Sequence, residues 1–574
     1  MKQSRIRMAV NDLFKKKEAA RVAALKTRWS EQPEIPWNEY PRPQLKRESF
    51  FCLNGPWRFA VNGEELGDIL VPYPPESALS GARAPVPGDQ LTYERDFCLP
   101  AGFRKDRVLL HCGAVDQECT VYLNDVELGS HVGGYLPFSF DVTEHLKQTN
   151  TLRVIVFDPL DTDLPYGKQR RDRGGMWYTP VSGIWQTVWM ESVPETYIRA
   201  IRLEPSLDSV ILNIDGEGPF TIDCDGKRFR ANSGRFRIRL ENPRLWTPEE
   251  PNLYPITVSN GSDTVQSYFA LRTIETRHIH GIPRICLNGK PVFFHGLLDQ
   301  GYWPDGIFLP GSPEAYTWDV QTMKDLGFNT LRKHIKVEPE RFYYDCDRLG
   351  MLVFQDLVNS GPYNYIRDTA IPTVGGKLTT CREAPTQRRR DFFREHGEQT
   401  ILHLHNHPCV VLYTLFNEGW GQHDTQNLYR HFKKLSPDRI WNAASGWFKD
   451  SDSDVQSEHI YFGSLKMRPN GKKPLLLTEF GGYSWPIDDH LFNLDEEYGY
   501  QKYRSAEDFQ KALTKLYRCD ILPQIRTGLC GTILTQVSDV EDETNGLVTY
   551  DRKIIKADRE TMRAIAADLK AQTE

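Results

Sequence analysis

From about Phe50 to Glu195 the chain alternates apolar and polar residues in short runs. "RVLLHCGAV", "CTVYLNDVELGSHVG" and "TLRVIVFD" are broken by Asn, Gly and Asp. A period of two with frequent turn residues predicts an all-β sandwich, and "YLNDVELG" predicts a hairpin turning at Asn124-Asp125. The same rhythm continues from Thr196 to about Glu275 through "YIRAIRLEPS", "FRIRLEN", "LYPITVSN" and "QSYFALRTIE". Its length suits a small immunoglobulin-like sandwich. From Arg284 onward the pattern changes: apolar runs alternate with helical segments such as "PEAYTWDVQTMKDLG" and "AEDFQKALTKLYRCDILPQIRTG". Eight strand candidates follow: "VFFHGLLD", "TLRKHI", "MLVFQDL", "VVLYTLFNE", "RIWNAAS", "HIYFG", "PLLLTEF" and "CGTILTQVSD". Eight strands in about 290 residues match a (β/α)₈ barrel, in which chemistry sits at the carboxyl ends of the strands.

Ahead of these regions, "DLFKKKEAARVAALKTRW" (Asp12 to Trp29) predicts an amphipathic helix that packs on the body or on a neighbouring subunit. The Pro-rich "EQPEIPWNEYPRPQ" (Glu31 to Gln44) predicts an extended lead-in.

Composition narrows the function classes. A net charge of −6 and a pI near 6.2 leave no basic footprint for nucleic acid. No window approaches a membrane span, and the first thirty residues contain no apolar signal core. Eleven Cys without a Cys-x-x-Cys pair read as reduced thiols of a cytoplasmic protein. Thirteen Trp and 25 Tyr suit flat platforms for sugars, although aromatic-rich sandwiches have the same composition.

Candidate chemistry lies at the strand ends. In "LYTLFNEGWGQ" an apolar run ends in Asn417 and Glu418; taken alone, Glu418 reads as a side chain returning to solvent. "PLLLTEFGG" repeats that grammar at Glu479. The 61 residues between them (479 − 418) hold two intervening βα units, so Glu418 closes strand four and Glu479 closes strand seven. The two carboxylates then face each other across the barrel mouth. Such a pair suits glycosidic bond cleavage, one group protonating the leaving oxygen and the other attacking the anomeric carbon or activating water. The protonated member keeps its proton near neutral pH through burial and its neighbour's charge.

Over nearly its whole length the chain resembles glycoside hydrolase family 2, the β-galactosidase and β-glucuronidase group. The resemblance rests on "LNGPWRF", "YERDFCLP", "SGIWQTVWME", "NPRLWTPEEPNLYPITV", "FALRTIE", "NTLRKHI", "HNHPCVVLYTLFNE" and "LLLTEFGG". It implies an N-terminal extension over 1–48, a sugar-binding jelly roll over 49–195, an immunoglobulin-like β-sandwich over 196–278 and a catalytic TIM barrel over 279–574. It also implies a retaining mechanism with Glu418 as acid/base and Glu479 as nucleophile. By the same resemblance Asn417 contacts the sugar 2-hydroxyl, Tyr461 hydrogen-bonds the nucleophile and Arg332 keeps it ionised. His334 and Asp356 close strands two and three and read either as contacts to sugar hydroxyls or as hydrogen-bonding groups of the mouth. Trp420 and Trp485 read as stacking platforms or as loop packing. "LLDQGYWPDG" suggests a pocket wall with Tyr302, Trp303 and Asp305 near the substrate.

Other signals carry less. In "HLHNHP", His403 and His407 have helical i, i+4 spacing without the Glu of a zinc protease, so a structural role is expected and no metal. "QRRRD" (Gln387 to Asp391) reads as a solvated helix face. "GGMWYTPVSG" lacks the strand-then-helix setting of a phosphate loop. The Asn-x-Lys element that grips a uronate in β-glucuronidases is missing from "EDETNGLVTYDRK", which has Asn545 but no Lys at the expected place; Lys553 is a candidate substitute. Gly175 stands where large β-galactosidases carry an Asp, and "LTQVSD" where many relatives carry a Trp. The expected activity is therefore an exo-acting retaining glycosidase, β-galactosidase-like in the broad sense. An α-L-arabinofuranosidase, a β-D-galactofuranosidase or a β-glucuronidase are the alternatives within that chemistry. A transglycosylase or a catalytically silent carbohydrate-binding protein are the alternatives outside it. The expected partner is a carbohydrate, with no cofactor and with self-association left open.

Overall fold

A computed structural model of the chain describes residues 20–370, 384–448, 452–463 and 465–573. The expected N-terminal helix lies outside the described residues from Asp12 to Ala19. Its remainder is extended, not helical: the Ala23 N–H donates to the Phe492 carbonyl at 2.8 Å and Arg21 pairs with Asp495. Among the described residues no helix is long and apolar enough to cross a membrane.

The first sandwich sets a six-stranded sheet against a four-stranded one. Strand Asn150–Phe157 buries every second side chain, the burial form of the alternation seen in its sequence. The predicted hairpin joins Glu118–Leu123 to Val126–Val132, with Asn124 and Asp125 both in the left-handed region that such a two-residue turn requires. Between about 200 and 269, sheets of three and four antiparallel strands enclose a second core around Val210, Leu212, Ile222 and Tyr254.

The barrel strands are β1 (Phe294–Asp299), β2 (Thr330–Lys333), β3 (Leu352–Asp356), β4 (Val410–Asn417), β5 (Ile440–Ser445), β6 (Gln456–Ile460), β7 (Leu475–Gly481) and β8 (Leu529–Thr535). They pair in parallel in the order β5-β4-β3-β2-β1-β8-β7-β6, and the two end strands lie side by side. All eight overlap the sequence candidates, most of them because strands buried on both faces read as apolar runs; β6 (QSEHI) is polar and half-buried and lies mostly ahead of its candidate "HIYFG", sharing only His459 and Ile460.

The barrel's two ends have different neighbours. At the amino end, Arg272 donates to the Pro408 and Val410 carbonyls and Arg284 to the Ile525 and Leu529 carbonyls. At the carboxyl end the first sandwich closes over the mouth. Its Tyr166 and Gly167 N–H groups donate to the Asn359 carbonyl, and Trp177 packs on Trp420 with ring centroids 4.9 Å apart. The "QRRRD" run is a solvated helix face except at Arg389, which is buried against Asp163 at this junction, where the exposed Arg388 pairs with Glu118 and Asp161. In the histidine tract, His407 bonds Asp347 at 2.6 Å, which also accepts from Tyr268. Two acceptor bonds on one buried carboxylate give His407 a structural task.

Candidate active site

Strand β4 delivers its carboxylate through an abrupt change of backbone. Asn417 ends the ladder opposite Ser445 of β5. Glu418 then turns into the left-handed region (φ 55°), and its N–H donates to the Ser445 carbonyl at 3.0 Å. A non-glycine residue held at positive φ is strained, and such strain is kept where the surroundings fix it. Gly419 continues the turn at φ 78°; a Cβ there would stand 2.2 Å from the Phe448 ring.

Glu479 sits on β7, opposite His459 of β6 in the ladder. Its Oε1 accepts from Arg332 Nη1 at 2.9 Å and its Oε2 from the Tyr461 hydroxyl at 2.7 Å. Burial alone would raise this carboxyl, but the opposing charges and donors of His459, Arg332, His334 and Tyr461 win and hold it down at about 2. Glu479 is thus an anion at any ordinary pH. Its side chain is 6% exposed; that of Glu418 is 15% exposed, with Oε2 free of any protein partner among the described residues. One carboxylate is locked and ionised, and the other is open on one side.

Arg332, fully buried, ties these parts together. It forks onto Asp356 at 3.0 and 2.9 Å, reaches Glu479, and donates from Nη2 to Asn417 Oδ1 at 2.9 Å. That bond fixes the Asn417 amide, whose Nδ2 has no protein acceptor among the described residues and is available to a ligand. Asp356 also bonds His334 Nδ1 at 2.8 Å. Burial pushes His334 down to about 4, so its ring is neutral.

The remaining predicted contacts are placed differently. Trp303 is 1% exposed and sandwiched by Trp29, Tyr316 and the Arg552 guanidinium. Asp305 accepts from the Thr27 N–H and hydroxyl and from Ser30, pinning the lead-in to the barrel. Neither faces the carboxylates; both hold the lead-in down. Trp485 packs at a tilt on Phe509, ring centroids 5.6 Å apart. Trp420 donates to the Gly361 carbonyl, packs among Tyr166, Tyr363 and Trp177, and is 3% exposed, so it offers a sugar little free ring face. Lys553 lies beside Asp551 and is half exposed.

Three neighbours of the site escaped the sequence reading. His459 has its Nδ1 2.8 Å from Glu418 Oε1 and 3.5 Å from Glu479 Oε2; it sits two residues before Tyr461, a spacing that puts both side chains on one face of a strand. Lys168 comes from the first sandwich. It is 8% exposed, its ammonium stands 5.4 Å from the Trp177 ring, and that ammonium makes no hydrogen bond or ion pair among the described residues. Its charge is felt by both His334 and Glu543. Glu543, in the loop after β8, accepts from the Tyr178 hydroxyl, Gln536 and Asn545. The same loop brings Asp542 to the Gly175 N–H at 3.1 Å, so an acid does stand at that point, supplied by a distant segment.

Donor atoms of Glu418, His459 and Glu479 lie within 4.8 Å of one another, a spacing that a metal ion also uses. Arg332 already neutralises Glu479 at hydrogen-bond range, and a second cation there would face its guanidinium. The donor set therefore suits proton transfer better than metal binding. One oxygen of Glu418 and one of Glu479 lie within 4.8 Å of each other, a close approach compatible with the carboxyl spacing of retaining glycosidases, about 5–5.5 Å.

Comparison with known proteins agrees with this architecture. Residues 82–201 match a glycosyl hydrolase 2 galactose-binding domain-like profile, 197–272 a glycosyl hydrolases family 2 profile, and 282–566 the family 2 TIM barrel domain. A β-galactosidase of Thermoanaerobacter pseudethanolicus is 23% identical over 69% of this chain and 54% of its own length. A β-glucuronidase of Paenibacillus borealis is 23% identical over 77% and 84%. The chain spans about half the length of the first of these relatives. Among solved structures, the β-D-glucuronidase of Dictyoglomus thermophilum has a TM-score of 0.72 at 18% identity, covering 92% of this chain and 98% of its own. The three profiles in order, over a barrel that brings Glu418 and Glu479 together, make this chain a member of glycoside hydrolase family 2.

Proposed function

We propose that the protein is a retaining exo-glycosidase that removes a terminal glycosyl residue by double displacement, β-galactosidase-like in the broad sense. The observation that carries this reading is the Glu418–Glu479 pair, close together and unequal in environment. Glu479, ionised and aimed by Arg332 and Tyr461, attacks the anomeric carbon while Glu418 protonates the departing oxygen. The alcohol leaves, and a glycosyl ester forms on Glu479. Glu418, now a carboxylate, takes a proton from water as that water attacks the anomeric carbon and frees Glu479. The Asn417 amide meets the 2-hydroxyl, and the neutral His334 offers Nε2 to a further hydroxyl. The first sandwich closes over the mouth, which favours a chain end over a chain interior.

A neutral glycone is the primary reading, because the Glu543 carboxyl already stands near enough to Lys168 to feel its charge and would repel a second carboxylate. One observation favours an acidic glycone instead: the Lys168 ammonium, buried and without an ion pair among the described residues, would gain one from a uronate carboxylate. The ten described cysteines are all free thiols, which supports a reducing, cytoplasmic setting.

The test is initial rates on aryl β-galactopyranoside, β-glucuronide, β-mannoside, α-L-arabinofuranoside and β-galactofuranoside, beside the Glu479→Ala variant. One strong signal that disappears in the variant is expected. Turnover that survives Glu479→Ala would sink the nucleophile assignment.

A further inference from the structure

His459 touches both carboxylates, and a chain of hydrogen bonds fixes which of its nitrogens carries the hydrogen. Nε2 lies 2.8 Å from the Ser445 hydroxyl, which reaches Thr478 Oγ1 at 2.9 Å; Thr478 in turn reaches the Glu458 carbonyl at 3.3 Å. A carbonyl only accepts, so the Thr478 hydrogen points to it. The single Ser445 hydrogen then points to Thr478 Oγ1, and Ser445 can only accept from His459. Nε2 therefore bears the hydrogen, and in the neutral ring Nδ1 is a bare lone pair. That lone pair faces Glu418 Oε1 at 2.8 Å, a distance that requires a proton between them.

We propose that His459 is a positioning residue for the acid: its Nδ1 and Glu418 share one proton, and this pair delivers that proton to the glycosidic oxygen. The inference rests on the glycosidase reading above and adds what governs its acid. During glycosylation the shared proton passes to the leaving oxygen, the C1–oxygen bond breaks, and a bond from C1 to Glu479 forms. During deglycosylation the attacking water's proton returns to the pair as the Glu479 ester opens, so His459 ends as it began. Its side chain is fully buried, which keeps bulk water from competing for that proton.

The charged and titratable groups facing His459 are few. Glu418 comes from the turn after β4 and Glu479 from β7. Tyr461, just past the end of its own strand, and Arg332 of β2 both act on Glu479. His334 is felt at Glu479 as well. The pair is competent while it holds at least one proton, whether on oxygen or on nitrogen. A ring nitrogen that accepts the carboxyl's proton favours the protonated acid, so removing the ring should make that proton easier to lose.

The experiment is the pH profile of kcat/KM for the wild type and His459→Asn, on whichever panel glycoside is turned over. The asparagine removes the titrating ring but can still hydrogen-bond. The alkaline limb is expected to move down by about one pH unit or more, with KM little changed. An active variant whose alkaline limb stays in place, or moves up, overturns the proposal. Thr478→Val is the second variant, for the case in which His459→Asn does not fold. It frees the Ser445 hydrogen to donate to Nε2 and shifts the ring hydrogen to Nδ1, so the limb is expected to fall here too; an unmoved limb again overturns the proposal. A ¹⁵N spectrum of histidine-labelled wild type gives a readout independent of turnover: the Nε2–H tautomer is expected at His459, and a neutral Nδ1–H ring would contradict it. A wild type silent on every glycoside counts against the glycosidase reading, whereas an unmoved limb in an active enzyme counts against His459 alone.

Discussion

Replacing Tyr461 by Phe removes one hydroxyl and leaves the ring where it is, stacked on Tyr500 at 3.9 Å between centroids. The lost contact is the 2.7 Å donation to Glu479 Oε2. A hydrogen bond from a neutral donor to a buried carboxylate is worth about 1.5–3 kcal/mol, and each pKa unit about 1.36 kcal/mol. Its loss should raise Glu479 by about 1–2 units, from about 2 to about 3–4. The nucleophile must be ionised, so activity is lost as pH falls through its pKa. The acid limb of kcat/KM should therefore move to higher pH, into a range where the protein can still be assayed.

The same shift affects stability in a fixed direction. A carboxyl held below its ordinary 4.5 stabilises the folded protein above that pH, and the contribution fades as pH falls toward 2. Tyr461→Phe gives up part of it, so the variant should unfold at a higher pH on acidification. The assay is kcat/KM from pH 3 to 7, with tryptophan fluorescence at each pH to separate titration from unfolding. Thr535→Val, which removes only the 3.0 Å partner of the Tyr461 hydroxyl, serves as the control with a smaller effect. An acid limb that stays put in Tyr461→Phe would refute the claim that this hydroxyl helps ionise the nucleophile.

Two further expectations concern the junction over the mouth. Lys168→Met should raise KM for the preferred glycone by about tenfold or more with a smaller change in kcat, since about 1.4 kcal/mol of ligand contact is one decade; unchanged KM would remove Lys168 from the site. Arg389→Ala strips a buried guanidinium from Asp163 at 2.7 Å and should cost about 1–2 kcal/mol, since the partly exposed carboxylate keeps the Thr386 hydroxyl and the Arg388 charge. A lower thermal midpoint with Glu479-dependent activity retained at 25 °C is expected, and an unchanged midpoint would contradict it.

Much of this site was legible in the sequence, because its core follows strand grammar. "LFNE" and "LLLTEF" announce themselves as apolar runs that end in a polar residue, and most of the barrel strands read as apolar segments, β2 (TLRK) and β6 (QSEHI) excepted. His459 was legible in principle, two places before Tyr461, but a lone histidine in "SEHIYFG" gives no sign that a carboxylate from another strand stands 2.8 Å away. Lys168 and Glu543 are brought to the mouth by segments some 370 residues apart, and nothing local in either marks the meeting. The misplacement of Trp303 and Asp305 has the same origin. A Trp and an Asp after β1 look like a pocket wall, but their partners, Trp29 and Thr27, lie far upstream; Thr27 is 278 residues away. Local pattern reveals what a strand end presents, while loops are assigned by contacts that only the folded chain supplies.

The central claim is a double displacement through Glu479, and product stereochemistry tests it most directly. Anomeric proton NMR during the first minutes of hydrolysis, before mutarotation, reports the configuration of the sugar as released. The account predicts the same configuration as in the substrate, because two inversions at C1 restore it. A sugar released with inverted configuration would mean that water attacks directly, and would contradict both the nucleophile assignment and the mechanism built on it.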